Sequence, residues 1–222
     1  MSIGNYYYIL SKNKLVRLII KLFGTIDLHA HIRLNPVINY LKKFSLTKSG
    51  TQIKILELGC GSGVCAFELN EISKKININF EYSGVDASPE LISNAQKVLE
   101  NIQPTKNKIN FTCDDAIKFL MKNNQKADFI LLVDIIEHIN NPENLLYLSN
   151  NLLNEDGIFL VSVPTPLYPK YFGYKFHREI GHLVDGYSLD VLAKMFNDIN
   201  CEIIFYKFNT GIVSKYGCYF VL

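Results

Sequence analysis

Ile53-Lys54-Ile55-Leu56-Glu57-Leu58-Gly59-Cys60-Gly61-Ser62-Gly63-Val64-Cys65-Ala66-Phe67-Glu68-Leu69 is the stretch that decides how this chain is read. An apolar run with strand character enters three alternating glycines, and the residues from Val64 onward have helical spacing. Alternating glycines permit positive φ and keep side chains away from a ligand that must come close. The start of the next helix turns unpaired N–H groups and a partial positive charge outward. Strand, glycine turn and helix together form the entrance of a nucleotide-type pocket that favours an anionic group.

The dinucleotide fingerprint G-x-G-x-x-G needs glycine where this chain has Val64, so NAD is disfavoured. Glu57 to Gly63 instead reads E-x-G-x-G-x-G, and in this it resembles motif I of the class I S-adenosylmethionine (SAM)-dependent methyltransferases. The resemblance spans roughly residues 35 to 222. It implies an α/β fold: a doubly wound, mostly parallel seven-stranded sheet with helices on both faces and a C-terminal antiparallel hairpin. It also implies SAM as cofactor, with Glu57, Gly59, Cys60, Gly61 and Gly63 around its amino-acid end.

The segments that follow fit an alternating α/β pattern. Asn77 to Val85 reads as a second strand ending in Asp86, and Ser88-Pro89-Glu90 reads as a helix start with Ser as cap and Pro at the first helical position. A carboxylate about 20 residues beyond a glycine turn is placed to accept ribose hydroxyls. Asp86, followed by Ala87, takes that role; without the glycines it would read as a helix-capping residue. A third strand, Ile109 to Thr112, leads into Cys113-Asp114-Asp115-Ala116. The resemblance implies an acidic residue there for the adenine amino group and a backbone N–H for a ring nitrogen, so Asp114, Asp115 and Ala116 are candidates. Ala127 to Val133 is apolar apart from Asp128, as suits a strand covered on both faces, and is followed by Asp134. A helix from Asn141-Pro142 to about Asn151 and a turn at Glu155-Asp156-Gly157 precede a fifth strand, Ile158 to Val163. Ligands of such sheets bind beyond the carboxyl ends of the strands, where Glu57, Asp86, Asp114 and Asp134 are expected to fall. Cys201 to Phe208 and Tyr216 to Leu222 supply the closing hairpin. Tyr219-Phe220-Val221-Leu222 stands in mid-strand, so the sheet closes there or the strand runs on.

With 222 residues and no Pro/Gly/Ser-rich linker, one domain is expected over residues 35–222, preceded by an extension at residues 1–34. A net charge of +2 gives no electrostatic case for a nucleic-acid partner. Five cysteines without a C-x-x-C pair read as buried reduced thiols of a cytoplasmic protein, with neither disulfides nor zinc. From Lys14 to Phe23 the basic residues Lys14, Arg17 and Lys21 lie on one helical side and Leu15, Leu18, Ile19, Leu22 and Phe23 on the other. Those charges exclude a transmembrane span, and no signal-peptide cleavage site follows. The helix is read as a lid packed on the domain; the alternative is peripheral contact with a membrane surface. His29 and His31 lack a third ligand-spaced residue, so they are read, with Arg33, as lining the lid rather than holding metal.

Asp134-Ile135-Ile136-Glu137-His138 resembles a stretch that some quinone-precursor O-methyltransferases use to hold a divalent ion. Other relatives carry Glu-His there as a helix start, and no metal is assigned on this basis. Pro164-Thr165-Pro166-Leu167-Tyr168-Pro169 is read as non-helical and opens an insertion at about 164–187, rich in aromatics and suited to covering a small-molecule substrate. Ser188 then caps a helix from Leu189 to Asn197. Gly181 to Ser188 resembles the segment in which small-molecule methyltransferases bring a His to the acceptor. His182 is therefore the candidate catalytic base, with His138 and His177 behind it. The expected activity is transfer of a methyl group from SAM to a small-molecule acceptor, at oxygen. The competing readings are an RNA or protein methyltransferase and a non-catalytic SAM-binding subunit. Against the first, Asp134-Ile135-Ile136-Glu137 stands where base-methylating relatives carry Asn/Asp-Pro-Pro-aromatic.

Overall fold

Strands and capped helices alternate along the chain in a computed structural model that describes residues 12–15, 17–18, 28–47, 52–76, 78–102, 106–208 and 216–221. Helix α1 (Leu28–Thr47) is followed by β1 (Ile53–Leu58), α2 (Val64–Ile76), β2 (Phe80–Asp86), α3 (Pro89–Asn101) and β3 (Lys108–Cys113). Then come α4 (Ala116–Lys122), β4 (Ala127–Val133), a 3-10 turn (Ile136–His138), α5 (Pro142–Asn150) and β5 (Leu153–Pro164). Helices α6 (Tyr168–Phe172), α7 (Tyr174–Glu179) and α8 (Leu189–Asn197) precede β6 (Ile203–Phe208) and β7 (Tyr216–Val221). The strand order is β3-β2-β1-β4-β5-β7-β6, the expected arrangement of a parallel part closed by an antiparallel hairpin.

Two compact units make up the chain: Met1–Ile55 with Cys60–Asp115, and Leu56–Gly59 with Ala116–Leu222. In the first, β2 and β3 run parallel with Asp86 opposite Cys113. Tyr82, Phe80 and Val85 are buried on β2, and Phe111 of β3 packs its ring against Phe67 of α2 and Tyr82. Ser88 caps α3 by accepting the Leu91 N–H, with Pro89 in the first turn, where its missing N–H is harmless.

In the second unit β4 and β5 are parallel, and β7 is antiparallel to both β5 and β6. Phe129, Ile130, Leu131 and Leu132 are fully buried, as the unbroken apolar run requires. Phe159 of β5 meets Phe196 of α8 at a ring separation of 5.6 Å. Asn141 and Ser188 cap α5 and α8 through the N–H groups of Asn144 and Val191.

Four expectations are corrected or refined. Strand β5 begins at Leu153, because Glu155-Asp156-Gly157 is taken up in a bulge: Ala127 pairs with Leu153 but Phe129 already with Ile158. A Cβ on Gly157 would stand 2.6 Å from the Leu153 side chain, so the bulge needs glycine. Tyr168-Pro169 is helical, since Pro169 occupies the first turn of α6 and displaces no hydrogen bond. Cys60, Cys65 and Cys201 are buried free thiols, but Cys113 is exposed because β3 shows most of its residues to solvent. Helix α1 runs through the expected boundary at 34/35, with Pro36 inside it and Leu34, Val37, Ile38 and Leu41 buried. The side chains of His29, His31 and Arg33, and residues 19–23 of the expected amphipathic helix, lie outside the described residues; Lys14–Leu15 and Arg17–Leu18 are helical. Among the described residues no helix is long and apolar enough to cross a membrane.

Packing of α2 creates a measurable pH dependence. Burial pushes the Glu68 carboxyl up to about 7, and the like charge of Glu71 adds to it. The folded chain therefore holds the proton more tightly than the unfolded one, and stability from this group is complete below about pH 4.5 and lost as pH rises through 7. Glu68→Gln is expected to flatten the urea-unfolding midpoint across that window and to raise it above pH 7. An unchanged slope would refute the assignment.

Candidate functional site

Carboxylate and glycine turn are joined directly in the first unit. The Asp86 carboxylate accepts the Gly61 N–H at 2.8 Å through Oδ2 and the Ser88 N–H at 2.9 Å through Oδ1. Cys60 N–H donates to the Val85 carbonyl, Gly63 N–H to the Cys60 carbonyl, and Asp114 N–H to the Asp86 carbonyl. The turn after β1 is thereby fastened to the end of β2, and the end of β2 to the residue after β3. Asp114 Oδ1 accepts the Asp115 N–H, and the Cys113 thiol approaches the Ala87 carbonyl at 3.9 Å.

Two glycines of the turn have different reasons to be glycine. Gly63 (φ +77) has no room: a Cβ there would lie 2.5 Å from Phe111 Cζ. Gly61 (φ +54) has nothing within 4 Å of such a Cβ, so its main chain faces open space where a ligand can come close. Cys60, Gly61, Gly63, Asp86, Ala87, Asp114 and Asp115 are thus grouped along one run of main-chain contacts. Glu57, Gly59, Ala116 and Asp134 belong to the second unit. There Glu57 is buried on β1, Gly59 (φ +71) leaves only 3.1 Å to the Ile135 side chain, and Ala116 opens α4. Asp134 follows β4 with φ 51, a left-handed conformation uncommon outside glycine, and its N–H donates to the Ser162 carbonyl.

Three histidines that the sequence scatters meet in the second unit. Atoms of Glu137, His138 and His182 that can serve as ligands lie within 4.8 Å of one another. Glu137 is 0% exposed and His182 is 5% exposed, and His182 Nε2 stands 4.0 Å from Glu137 Oε1. The His182 ring is edge-on to His138 at 4.7 Å and to His177 at 4.5 Å. Burial, followed by the charges His138, His177 and Arg178 can carry, lowers the His182 pKa to about 4, and burial lowers that of His138. His138 Nδ1 faces the Gly181 carbonyl at 3.0 Å, which can only accept, so the neutral ring carries its proton there and leaves Nε2 bare.

Loop contacts hold this group together. Arg178 donates to the carbonyls of His182 and Leu183 and pairs with Asp185, and the Leu183 N–H donates to the Glu137 carbonyl. The Tyr187 hydroxyl donates to the Ile136 carbonyl, and its burial pushes the phenol up to about 12. Gly186 (φ +123) lets this loop lie on Thr165, where a Cβ would meet the carbonyl oxygen at 2.5 Å. Sequence reading singled out His182, His138 and His177 but missed Arg178 and the Tyr187 hydroxyl, whose partners, Asp185 apart, are main-chain carbonyls that leave no mark in the sequence.

Family comparison covers most of the chain: the family described as Methyltransferase domain matches residues 29–205. Ubiquinone biosynthesis O-methyltransferase of Pelagibacter ubique (strain HTCC1062) is 28% identical over 127 residues, covering 56% of this chain and 48% of that protein. The protein of the same name from Coxiella burnetii (strain Dugway 5J108-111) is 30% identical over 114 residues, 51% of this chain and 43% of the relative. The chain thus spans about half the length of the curated relatives it matches. Among solved structures, magnesium protoporphyrin IX methyltransferase from Synechocystis PCC 6803 with bound SAH superimposes with a TM-score of 0.64 at 13% identity, over 98% of this chain and 92% of that one. A SAM-dependent methyltransferase from Archaeoglobus fulgidus gives 0.64 at 17% identity, over 94% of this chain and 99% of that one. These likenesses show the fold.

The contrast between the two glycines is open to test by unfolding. Gly61→Ala is expected to cost about 1–2 kcal/mol from the left-handed backbone alone. Gly63→Ala should cost about 1–3 kcal/mol more, from overpacking against Phe111. Equal losses in urea denaturation would contradict the geometry.

Proposed function

The chain belongs to the Methyltransferase domain family, and from that premise we propose that it transfers a methyl group from SAM to an oxygen atom of a small-molecule acceptor. The observation that carries the reading is the Asp86 carboxylate, anchored to Gly61 of the glycine turn and half-buried at the end of β2. Each carboxylate oxygen has a second lone pair, so two ribose hydroxyls can be accepted without giving up the main-chain contacts. Gly61 and Gly63, with Cys60, meet the amino-acid end of SAM; Asp86 and Ala87 meet the ribose; Asp114 and Asp115 meet the adenine.

The sulfonium of SAM makes its methyl group electrophilic, so the protein must align acceptor, methyl and sulfur and exclude water; alignment can supply about 7 to 11 kcal/mol. An acceptor hydroxyl must also lose its proton. With a pKa near 4, His182 is a weak base at neutral pH but a neutral nitrogen donor there. Two neutral imidazoles and a buried carboxylate are a donor set suited to a divalent ion, and Glu137, His138 and His182 would hold it. Such an ion, when bound, would favour the ionised form of an acceptor hydroxyl. Relatives named ubiquinone biosynthesis O-methyltransferase support oxygen as the acceptor atom. We place the protein in the cytoplasm, with residues 1–34 as a lid or a peripheral membrane contact.

Labelled SAM incubated with the protein and a cell extract is expected to deliver its methyl group to the small-molecule fraction. Label in RNA or protein would favour a macromolecular acceptor, and tight SAM binding without transfer would favour a regulatory subunit. Asp86→Ala should weaken SAM binding by about 1.5 to 3 kcal/mol in calorimetry, the range for hydrogen bonds to a charged group. Unchanged affinity would remove Asp86 from the site.

A further inference from the structure

His177 is 0% exposed, yet both of its ring nitrogens have a defined neighbour. Its Nε2 lies 2.7 Å from the Val184 carbonyl oxygen, and its Nδ1 lies 3.1 Å from Nδ1 of His182. A carbonyl oxygen can only accept, so Nε2 of His177 carries a proton. In the neutral ring Nδ1 is then a lone pair. With both rings neutral, the one proton that the contact between the two Nδ1 atoms needs comes from His182. A neutral His182 that donates from Nδ1 has no proton on Nε2, the atom 4.0 Å from Glu137 Oε1.

We propose that His177 is a positioning residue: by accepting the Nδ1 proton of His182 it fixes the tautomer whose Nε2 lone pair faces Glu137. The arrangement parallels the one at His138, whose Nδ1–H is taken by the Gly181 carbonyl. Imidazoles that ligate metals almost always give their other N–H to such a partner, which sets ring orientation and donor strength. Both histidines of the group are thus prepared from behind, one by a main-chain oxygen and one by a buried side chain. The surroundings leave little freedom. The Tyr168 ring lies 5.5 Å from His182 and 5.8 Å from His177, and Arg178 grips the carbonyls of His182 and Leu183. The consequence for cation affinity rests on the reading of Glu137, His138 and His182 as a divalent-ion site; the tautomer itself does not.

Two-bond nitrogen–proton correlation spectra of histidine-labelled protein report which ring nitrogen is protonated, and cobalt(II) titration followed by absorbance reports the site. His182 of the unaltered protein is expected as the Nδ1–H tautomer. His177→Leu should release it toward Nε2–H and weaken cobalt binding about 10- to 100-fold. His177→Asn, whose side-chain oxygen can accept the same proton, should restore both. An Nε2–H tautomer in the unaltered protein would overturn the proposal without need of any variant, and so would a tautomer that His177→Leu leaves unmoved. Failure of the unaltered protein to bind cobalt, with the tautomer as expected, would instead remove the divalent-ion reading and leave the positioning role supported.

Discussion

A single carboxylate that accepts two main-chain amides holds the first unit's glycine turn in shape. Without Asp86, the Gly61 and Ser88 N–H groups would lose their acceptor, and three consecutive segments would lose their common fixed point. Hydrogen bonds to a charged acceptor are worth roughly twice those between neutral groups. That difference favours a short acidic side chain at the end of β2 over a neutral one. A left-handed turn with open space beside Gly61 then becomes a stable feature rather than one conformation among several.

The second unit solves a harder problem, the burial of ionisable groups. Glu137 and His138 of the 3-10 turn share one small volume with His182 of the loop after α7, and that loop is held there through Arg178, Leu183 and Tyr187. Burial drives His138 and His182 toward their neutral forms, which removes charge repulsion between the rings and leaves nitrogen lone pairs exposed to one another's neighbourhood. Such a group is stable only when each proton has a definite place, and the carbonyls of Gly181 and Val184 supply two of those places.

Much of the fold could be read from residue order because local signals and burial agree. Ser88-Pro89, Asn141-Pro142 and Ser188 mark helix starts through chemistry confined to three or four residues, and each appears where expected. The unbroken apolar run of β4 likewise follows from coverage of both its faces. Readings failed where a tertiary partner decides the outcome. The bulge at Glu155-Asp156-Gly157 depends on the register β5 keeps with β4, and Pro169 is tolerated because its position in α6 asks for no donor. At the site, acidic residues after successive strands follow from the α/β pattern itself. The meeting of His138 with His182 does not, since the Gly181 carbonyl that orients His138 lies 43 residues further along the chain.

Strand register gives Cys113 a practical use. It stands opposite Asp86 on the parallel β2–β3 ladder and faces solvent, whereas the thiols of Cys60, Cys65 and Cys201 are buried. A maleimide dye would therefore attach there in preference to those three, one strand away from the carboxylate that anchors the glycine turn. The fold has in effect supplied its own fluorescent reporter position, from which the proposed arrival of a nucleoside beside β2 can be watched.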